Sequence, residues 1–473
     1  MTDSVQTWVE SELAAVSLGD ARLDRRFRSL VHDLSRHCGK TLASSFGTLA
    51  ELKGAYRFFA NDRVEEQAML APHIEQSVRR VREHHTVLVL QDSTYLDYSS
   101  REKTTGLNAL HARKSGKSTK GLLLHNTLAV TCEGLPLGLL DQRFVDRQPF
   151  RRGETQDGPA PRLSRLTIKD KESARWIEVL EAVRALDTGE TRTVHVADRE
   201  CDFYEFFRDA RDLGQNLLIR AVSNRAIDKR TRGGSADGRL FDKLAERPSE
   251  GNTTVTVQIN GTKKYRQATL SIMRMAFSMP APQNKTVPKD GANLPMVPLT
   301  AVMAVEEEPP EGETALRWVL LTNLAVEDFD QAIEKVQWYS RRWNIEVFHK
   351  VLKSGCGVEI AQLGSAERLR KYIVLESIVA WRLFWLTRLS EHDGNAGCET
   401  ILSEEEWSLL YRKTHRTREV PVTSPSLADA TVWIAKLGGY LDRTSDPPPG
   451  VTSLWRGWQR LTDMLEDQRD LCG

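Results

Sequence analysis

Cysteine is scarce in this chain: Cys38, Cys132, Cys201, Cys356, Cys398 and Cys472 are the only six in 473 residues, and no two form a Cys-x-x-Cys pair. That scatter argues against a disulfide scaffold or a zinc ribbon and for a reduced, cytosolic protein. A long apolar run is also missing. The best stretch, Ile373 to Leu389, is broken by Glu376, Arg382 and Arg388, so it reads as a buried helix and not a membrane span. The first ten residues, Met1 to Glu10, lack the basic and apolar segments of a signal peptide. There is no surplus of charge: 66 Lys and Arg against 65 Asp and Glu leave a formal +1, so any surface for nucleic acid must be local. Internal repeats and low-complexity tracts are absent. What is plentiful is core material, with 40% hydrophobic residues and eleven Trp. A chain of this length is expected to form roughly two to four units.

The first unit is basic and helical. Asp20 to Gly39 has a helix's punctuation, with Asp20 as N-cap and Gly39 past the end. Leu23, Phe27, Leu30, Val31 and Leu34 form its apolar stripe, and a second helix is expected from about Thr48 to Phe59. From Arg22 to Arg57 there are eight Lys or Arg against three Asp or Glu, a density that suits phosphate contact as well as a solvated helix face. An α/β pattern follows. Thr86 to Leu90 is a short buried strand delivering Gln91 and Asp92, and a basic loop is expected over Arg101 to Lys120. Leu122 to Cys132 and Leu135 to Phe144 read as a hairpin turning at Glu133-Gly134. Ala174 to Leu186 reads as a helix, Thr193 to Ala197 as a strand delivering Asp198, Cys201 to Asp212 as a helix, and Asn216 to Val222 as a strand. Residues from about Asn224 to Glu313 break this rhythm and read as an all-β insertion, with strands at Thr253 to Ile259, Gln267 to Met273 and Val297 to Val305. Leu316 to Thr322 resumes the core sheet, and the remainder is helical apart from a Pro-rich loop at Asp446 to Gly450.

One short stretch, Gln337 to Lys353, concentrates the chemistry. At about 100° per residue, Tyr339, Arg342, Glu346, Lys350 and Lys353 fall within about 80° of one another on a single helix, while Ile345, Phe348 and Leu352 take the other side. A carboxylate among phosphate-seeking groups fits a metal ligand flanked by phosphate contacts. Glu346 and Lys350 taken alone are also the spacing of an ordinary exposed ion pair. Asp92 and Asp198 each end a hydrophobic strand, and in an α/β sheet such ends converge at one rim. Three converging carboxylates suit Mg²⁺ or Mn²⁺, and a pair of such ions suits phosphoryl transfer.

Tyr339-x-x-Arg342-x-x-x-Glu346-x-x-x-x-x-x-Lys353 resembles the Y-x2-R-x3-E-x6-K motif of DDE transposases from bacterial insertion sequences, in the cut-and-paste branch that works through a DNA hairpin. Further matches are Ser17-Leu-Gly-Asp20, Gly54-Ala-Tyr-Arg-Phe58, Gln91-Asp-Ser-Thr94, Lys171-Glu-Ser173 with Trp176, Asp198-Arg-Glu200, Leu437-Gly-Gly-Tyr440 and Leu454-Trp-Arg-Gly-Trp458. The resemblance implies an α/β, RNase H-like (retroviral-integrase-like) catalytic core with a β-rich insertion, flanked by helical N- and C-terminal domains. The expected boundaries are 1–66 for DNA binding, 67–390 for catalysis with the insertion at about 224–313, and 391–473 for dimerisation. It implies Asp92, Asp198 and Glu346 as a catalytic, metal-binding triad for two Mg²⁺, with Mn²⁺ able to substitute. Tyr339, Arg342, Lys350, Lys353 and Arg220 would hold phosphates of the transposon end, and Trp318 and Trp343 would stack on a flipped base. Arg57 lies in a close motif match; Lys53, Lys40, Arg26, Arg25 and Arg22 join it by charge and position as candidates for reading the terminal repeat. Partners would be double-stranded transposon ends, target DNA and a second copy of the chain in a synaptic complex, with no membrane, in the bacterial cytoplasm at the nucleoid.

Cys201 stands where the family usually has Ala, and Pro447-Pro448 stiffens a loop that is usually Gly- and acid-containing. His195 and His349 lack zinc-like spacing to other ligands, and His349 is expected behind the site or facing DNA. Two other readings stand beside the transposase: a DNA-binding relative without catalysis acting as a repressor, and a metal-dependent nuclease without strand transfer. A two-carboxylate glycosidase leaves the Lys and Arg stripe unexplained.

Overall fold

The chain opens with four helices, the second and third started by side-chain caps. A computed structural model describes residues 4–112, 118–145, 173–227, 238–258, 265–281, 294–444, 446 and 448–472. Helix α1 (Ser4–Glu12) is followed by α2 (Ala21–Arg36), whose N-cap Asp20 accepts a hydrogen bond from the Arg22 amide at 2.8 Å. Helix α3 (Leu49–Phe59) starts with a capping box between Thr48 and Glu51, and α4 (Glu66–Val81) follows. Phe27, Leu30, Val31 and Leu34 are buried as their spacing requires, and Phe27 stacks on Phe58. This apolar surface belongs to the same hydrophobic cluster as the core of the sheet region.

The sheet has ten strands: β1 (Thr86–Asp97), β2 (Asn108–Ala112), β3 (Ser118–Thr131), β4 (Pro136–Val145), β5 (Arg192–Ala197), β6 (Asn216–Arg220), β7 (Gly251–Gln258), β8 (Tyr265–Met279), β9 (Val297–Val305) and β10 (Arg317–Thr322). Their order is β2-β3-β1-β5-β6-β10-β9-β8-β7, with β4 on the same edge of β3 as β2. Strands β1, β5 and β6 are parallel and the other pairings antiparallel. Helices α5 (Ala174–Ala185) and α6 (Tyr204–Asp212) cover the parallel part. Parallel strands need such crossovers, and both of their faces are then apolar.

Three expectations change here. Asp92 does not end its strand: β1 runs twelve residues, and only its pairing to β5 stops at Leu90. The basic loop over Arg101 to Lys120 contains β2 and the start of β3, residues 113–117 lying outside the described ones. The inserted segment is not all-β, since α7 (Leu240–Ala245) lies within it, and its strands form no separate barrel. They extend the core sheet, because β9 pairs with β10 on the side away from β6. Periodicity could not reveal this, as edge pairing is a long-range choice.

Helices α8 (Phe329–Ser340), α9 (Trp343–Lys350) and α10 (Ala366–His392) follow the sheet, and α10 carries the packing of α2, α3, α4 and β4. A separate apolar cluster joins the end of α10 to α11 (Glu404–His415), α12 (Leu427–Leu437) and α13 (Val451–Cys472). Here the two glycine motifs find their purpose. A Cβ on Gly457 would lie 1.7 Å from the Ile434 carbonyl oxygen, and one on Gly438 would lie 1.8 Å from that of Ser453. Helices α12 and α13 cross backbone to backbone at these two positions. Pro447 lies outside the described residues, and so do Lys171 and Glu172. Among the described residues no helix is long and apolar enough to cross a membrane.

Candidate active site

Strand register brings the first two carboxylates together. Leu90 pairs with Val196 in the parallel β1–β5 ladder, so continuing that register by two residues sets Asp92 level with Asp198. Each is tethered through one oxygen: Asp92 Oδ1 accepts from the Ser93 amide and Asp198 Oδ1 from the Glu200 amide, both at 2.8 Å. Glu346 arrives from α9, which packs across β1 with Ile345, Phe348 and Leu352 fully buried beneath it. Burying side chains of that size stabilises the seat by about 1.5–3 kcal/mol each. The Arg342 guanidinium lies between the two elements, bonded to Glu346 Oε1 and 3.6 Å from Asp92 Oδ2. Burial pushes the Asp92 carboxyl up to about 7; the Asp198 and Glu346 charges act in the same direction, against Arg342 and the Ser93 amide.

The helix stripe is built differently from its expectation. Tyr339 ends α8, a tight turn carries Arg341 and Arg342, Glu346 and Lys350 lie on α9, and Lys353 belongs to a π-helical turn over Val351–Gly355. A π-turn is a common irregularity at functional sites, and it re-aims every later side chain. The Lys353 ammonium consequently donates to the Tyr95 carbonyl at 2.8 Å and stands 3.6 Å from Glu359. Lys350 is exposed. Tyr339 is buried, lies near Arg220, and meets the Trp318 ring edge-on at 5.2 Å. Burial raises the Tyr339 phenol above its usual range although Arg342 and Arg220 both lie beside it. Trp343 is 53% exposed, an unusual setting for a large aromatic.

The donor set has the chemistry of a hard-cation site, three carboxylates gathered at one rim with a cationic group already between two of them. Among the described residues no three His, Cys, Asp or Glu side chains stand close enough to hold a metal ion as placed. Arg342 has to turn aside before Asp92 and Glu346 can share one. His195 uses both ring nitrogens, on Gln91 at 2.7 Å and Gln215 at 3.1 Å, and burial pushes it down to about 4.

Several residues behind the carboxylates were not visible in the sequence. Arg175 donates to Ser93 Oγ at 3.0 Å and to Glu200 Oε2 at 2.6 Å, and so bridges the neighbours of Asp92 and Asp198. Ser93 also contacts His125 Nδ1 at 2.9 Å, and the His125 ring lies edge-on to Trp176. On the other flank Asn126, opposite Asp92 in the β1–β3 register, donates to His349 Nε2 at 3.0 Å. The Gln91-Asp-Ser-Thr94 and Trp176 matches pointed to the first group. Only the hairpin register could have found Asn126.

The N-terminal candidates lie on α2, on α3 and between them. Lys53, Arg57, Arg22 and Arg25 are exposed. Arg26 is half-buried with its guanidinium over Gly54, where a Cβ would come within 2.9 Å. Lys40 is not free for phosphate in this structure, since it pairs with Asp463 of α13 at 2.8 Å.

This arrangement gathers three carboxylates and an arginine at one rim of an α/β sheet. Three family models match the chain: transposase DNA-binding over residues 5–64, transposase DDE domain over 167–381, and transposase Tn5 dimerisation domain over 378–471. The chain belongs to the DDE transposases. It is an enzyme that cuts and joins DNA, binds DNA, forms homodimers and depends on divalent metal ions. The DDE match includes Asp198 and Glu346 and begins after Asp92.

Proposed function

We propose that the chain excises a DNA element by hydrolysis and hairpin formation at its terminal inverted repeats and joins the freed 3′ ends to target DNA. The observation that carries this is that Asp92 and Glu346 flank Arg342, with Asp198 on the neighbouring strand level with Asp92 and with Tyr339 and Arg220 adjoining. The strand order β4-β3-β1-β5-β6 supports an RNase H-like core, in which the acids share one rim. Asp92, Asp198 and Glu346 would hold Mg²⁺, which supplies the Lewis acidity that activates the attacking oxygen and stabilises the leaving one.

The chain's own groups position the DNA. Arg342, Lys350 and Lys353 bind phosphate oxygens beside the scissile bond, and Tyr339 with Arg220 fixes the strand's approach. Water attacks the scissile phosphorus and releases a 3′-OH. That hydroxyl attacks the opposite strand, closing a hairpin and freeing the flanking DNA. A second water opens the hairpin, and the regenerated 3′-OH attacks a target phosphodiester. A hairpin demands a displaced base, and the exposed Trp343 and the half-buried Trp318 offer it aromatic surfaces. Lys53, Arg57, Arg26 and Lys40 read the repeat, in a synaptic homodimer acting on nucleoid DNA in the bacterial cytoplasm.

The test is a denaturing gel of labelled DNA carrying the element's own ends, with Mg²⁺ or EDTA, beside Glu346→Ala. Metal-dependent nicks and hairpins at the ends, lost at least a thousandfold in the variant, are expected. End binding without cleavage would favour a repressor, and cleavage without end preference a nuclease.

A further inference from the structure

A polar chain runs through the core from the helix of Glu346 to α10. Ser377 Oγ donates to the Ile373 carbonyl at 2.8 Å and accepts from Gln142 Nε2 at 2.7 Å. Gln142 Nε2 also donates to Asn126 Oδ1 at 2.8 Å, and Asn126 Nδ2 then donates to His349 Nε2 at 3.0 Å. All four side chains are buried. Gln142 donates in both directions, to Ser377 and to Asn126, and because the Asn126 amide nitrogen can only donate, His349 Nε2 is an acceptor.

Stability alone does not call for this arrangement. Buried polar groups must be bonded to avoid a penalty, and an apolar set of the same shape serves a core equally well. What a hydrogen bond adds is direction. The apolar seat formed by Ile345, Phe348 and Leu352 fixes the depth of α9 and resists sliding or rotation only weakly, because hydrophobic contact is non-directional. The Asn126–His349 bond joins the residue opposite Asp92 to the residue three positions after Glu346. It ties the strand beside Asp92 to the helix of Glu346 from behind, where Arg342 links the two carboxylates from the front.

We infer that Asn126 and His349, backed by Gln142 and Ser377, are positioning residues that set the separation of Asp92 and Glu346 for cation binding. This rests on the reading of those carboxylates as metal ligands. Groups behind a metal's ligands commonly change its affinity by about 10- to 100-fold.

The test is Mn²⁺ binding by the full-length chain on a duplex carrying the element's end, followed by the electron paramagnetic resonance of free Mn²⁺. End binding in EDTA and thermal unfolding are measured alongside. His349→Leu and Asn126→Leu are each expected to raise half-saturation about tenfold with end binding unchanged. His349→Gln, which keeps an acceptor toward Asn126, is expected to restore it to within about threefold. In the double Leu variant unfolding should recover toward wild type while Mn²⁺ binding stays weak, an outcome a purely structural role does not give. If both single variants bind Mn²⁺ like wild type while Glu346→Gln does not, the inference is wrong and the triad stands. Wild-type binding by Glu346→Gln as well would overturn both. Should His349→Leu not fold, Asn126→Leu reads the same quantity.

Discussion

At the scale of single residues, Glu12 shows how much one buried carboxylate can hold together. It accepts from His73 Nδ1 at 2.6 Å and from both terminal nitrogens of Arg80 at 2.9 Å, joining α1 to α4, while His73 Nε2 accepts from the Leu139 amide of β4. Burial alone would raise the Glu12 carboxyl, and burial lowers His73; the two partners outweigh the first effect and bring Glu12 to about 2. A depressed carboxyl contributes stability above its unfolded value, and this is lost as pH falls through the folded one. Glu12→Gln is therefore expected to cost about 3 kcal/mol near pH 7 and about half that near pH 3, measured by urea unfolding across the range. A difference that does not change with pH would assign the cost to packing. Motif and chemistry coincided in the sequence at Asp92, Asp198 and Glu346, and the fold brings these three to one rim. Arg175 and Asn126 were not legible there, because their neighbours are chosen by cross-strand register.

At the scale of elements, strong local signals were sufficient. The Asp20 cap, the helix from about Thr48 and the Glu133-Gly134 turn stand where they were read from sequence, Gly134 having a φ of +103°. The ideal helix over Gln337 to Lys353 failed for a physical reason. A tight turn before α9 and a π-turn after it change the angle per residue, and no composition signal marks either. The crossing of α12 and α13 gives the sharpest prediction at this scale. Gly457→Ala or Gly438→Ala must push two backbones apart, at a cost of about 1–3 kcal/mol or more for overpacking. Each should lower the melting temperature and weaken homodimer formation in sedimentation, with Mn²⁺ binding unchanged. Wild-type melting in both would show that the helices have room to part.

Across the whole molecule, the N-terminal helical region meets the last helix. The end of α2 and the residues after it face α13 through Lys40–Asp463, Arg36–Glu466 and His37–Glu466, at 2.8, 3.1 and 3.2 Å. These pairs are partly exposed, so each contributes little and salt weakens them. Charge counting found the basic N-terminal unit and could not find its acidic partner more than four hundred residues away. Because Lys40 is engaged by α13, Asp463→Asn should release it, tightening binding to end DNA about two- to fivefold at low salt, with a smaller gain at high salt. Fluorescence anisotropy measures this, and an unchanged Kd at low salt would remove Lys40 from the DNA-reading set.

The glycine crossing also has a consequence for inheritance. When a side chain meets a side chain, a harmful change in one can be relieved by a matching change in the other, and lineages can drift through such pairs. At Gly438 and Gly457 the opposing atoms are main-chain oxygens, which every amino acid carries. No codon change at the facing positions can make room. A genetic screen for suppressors of Gly457→Ala should therefore recover reversion, or changes elsewhere that move a whole helix, and nothing at Ile434.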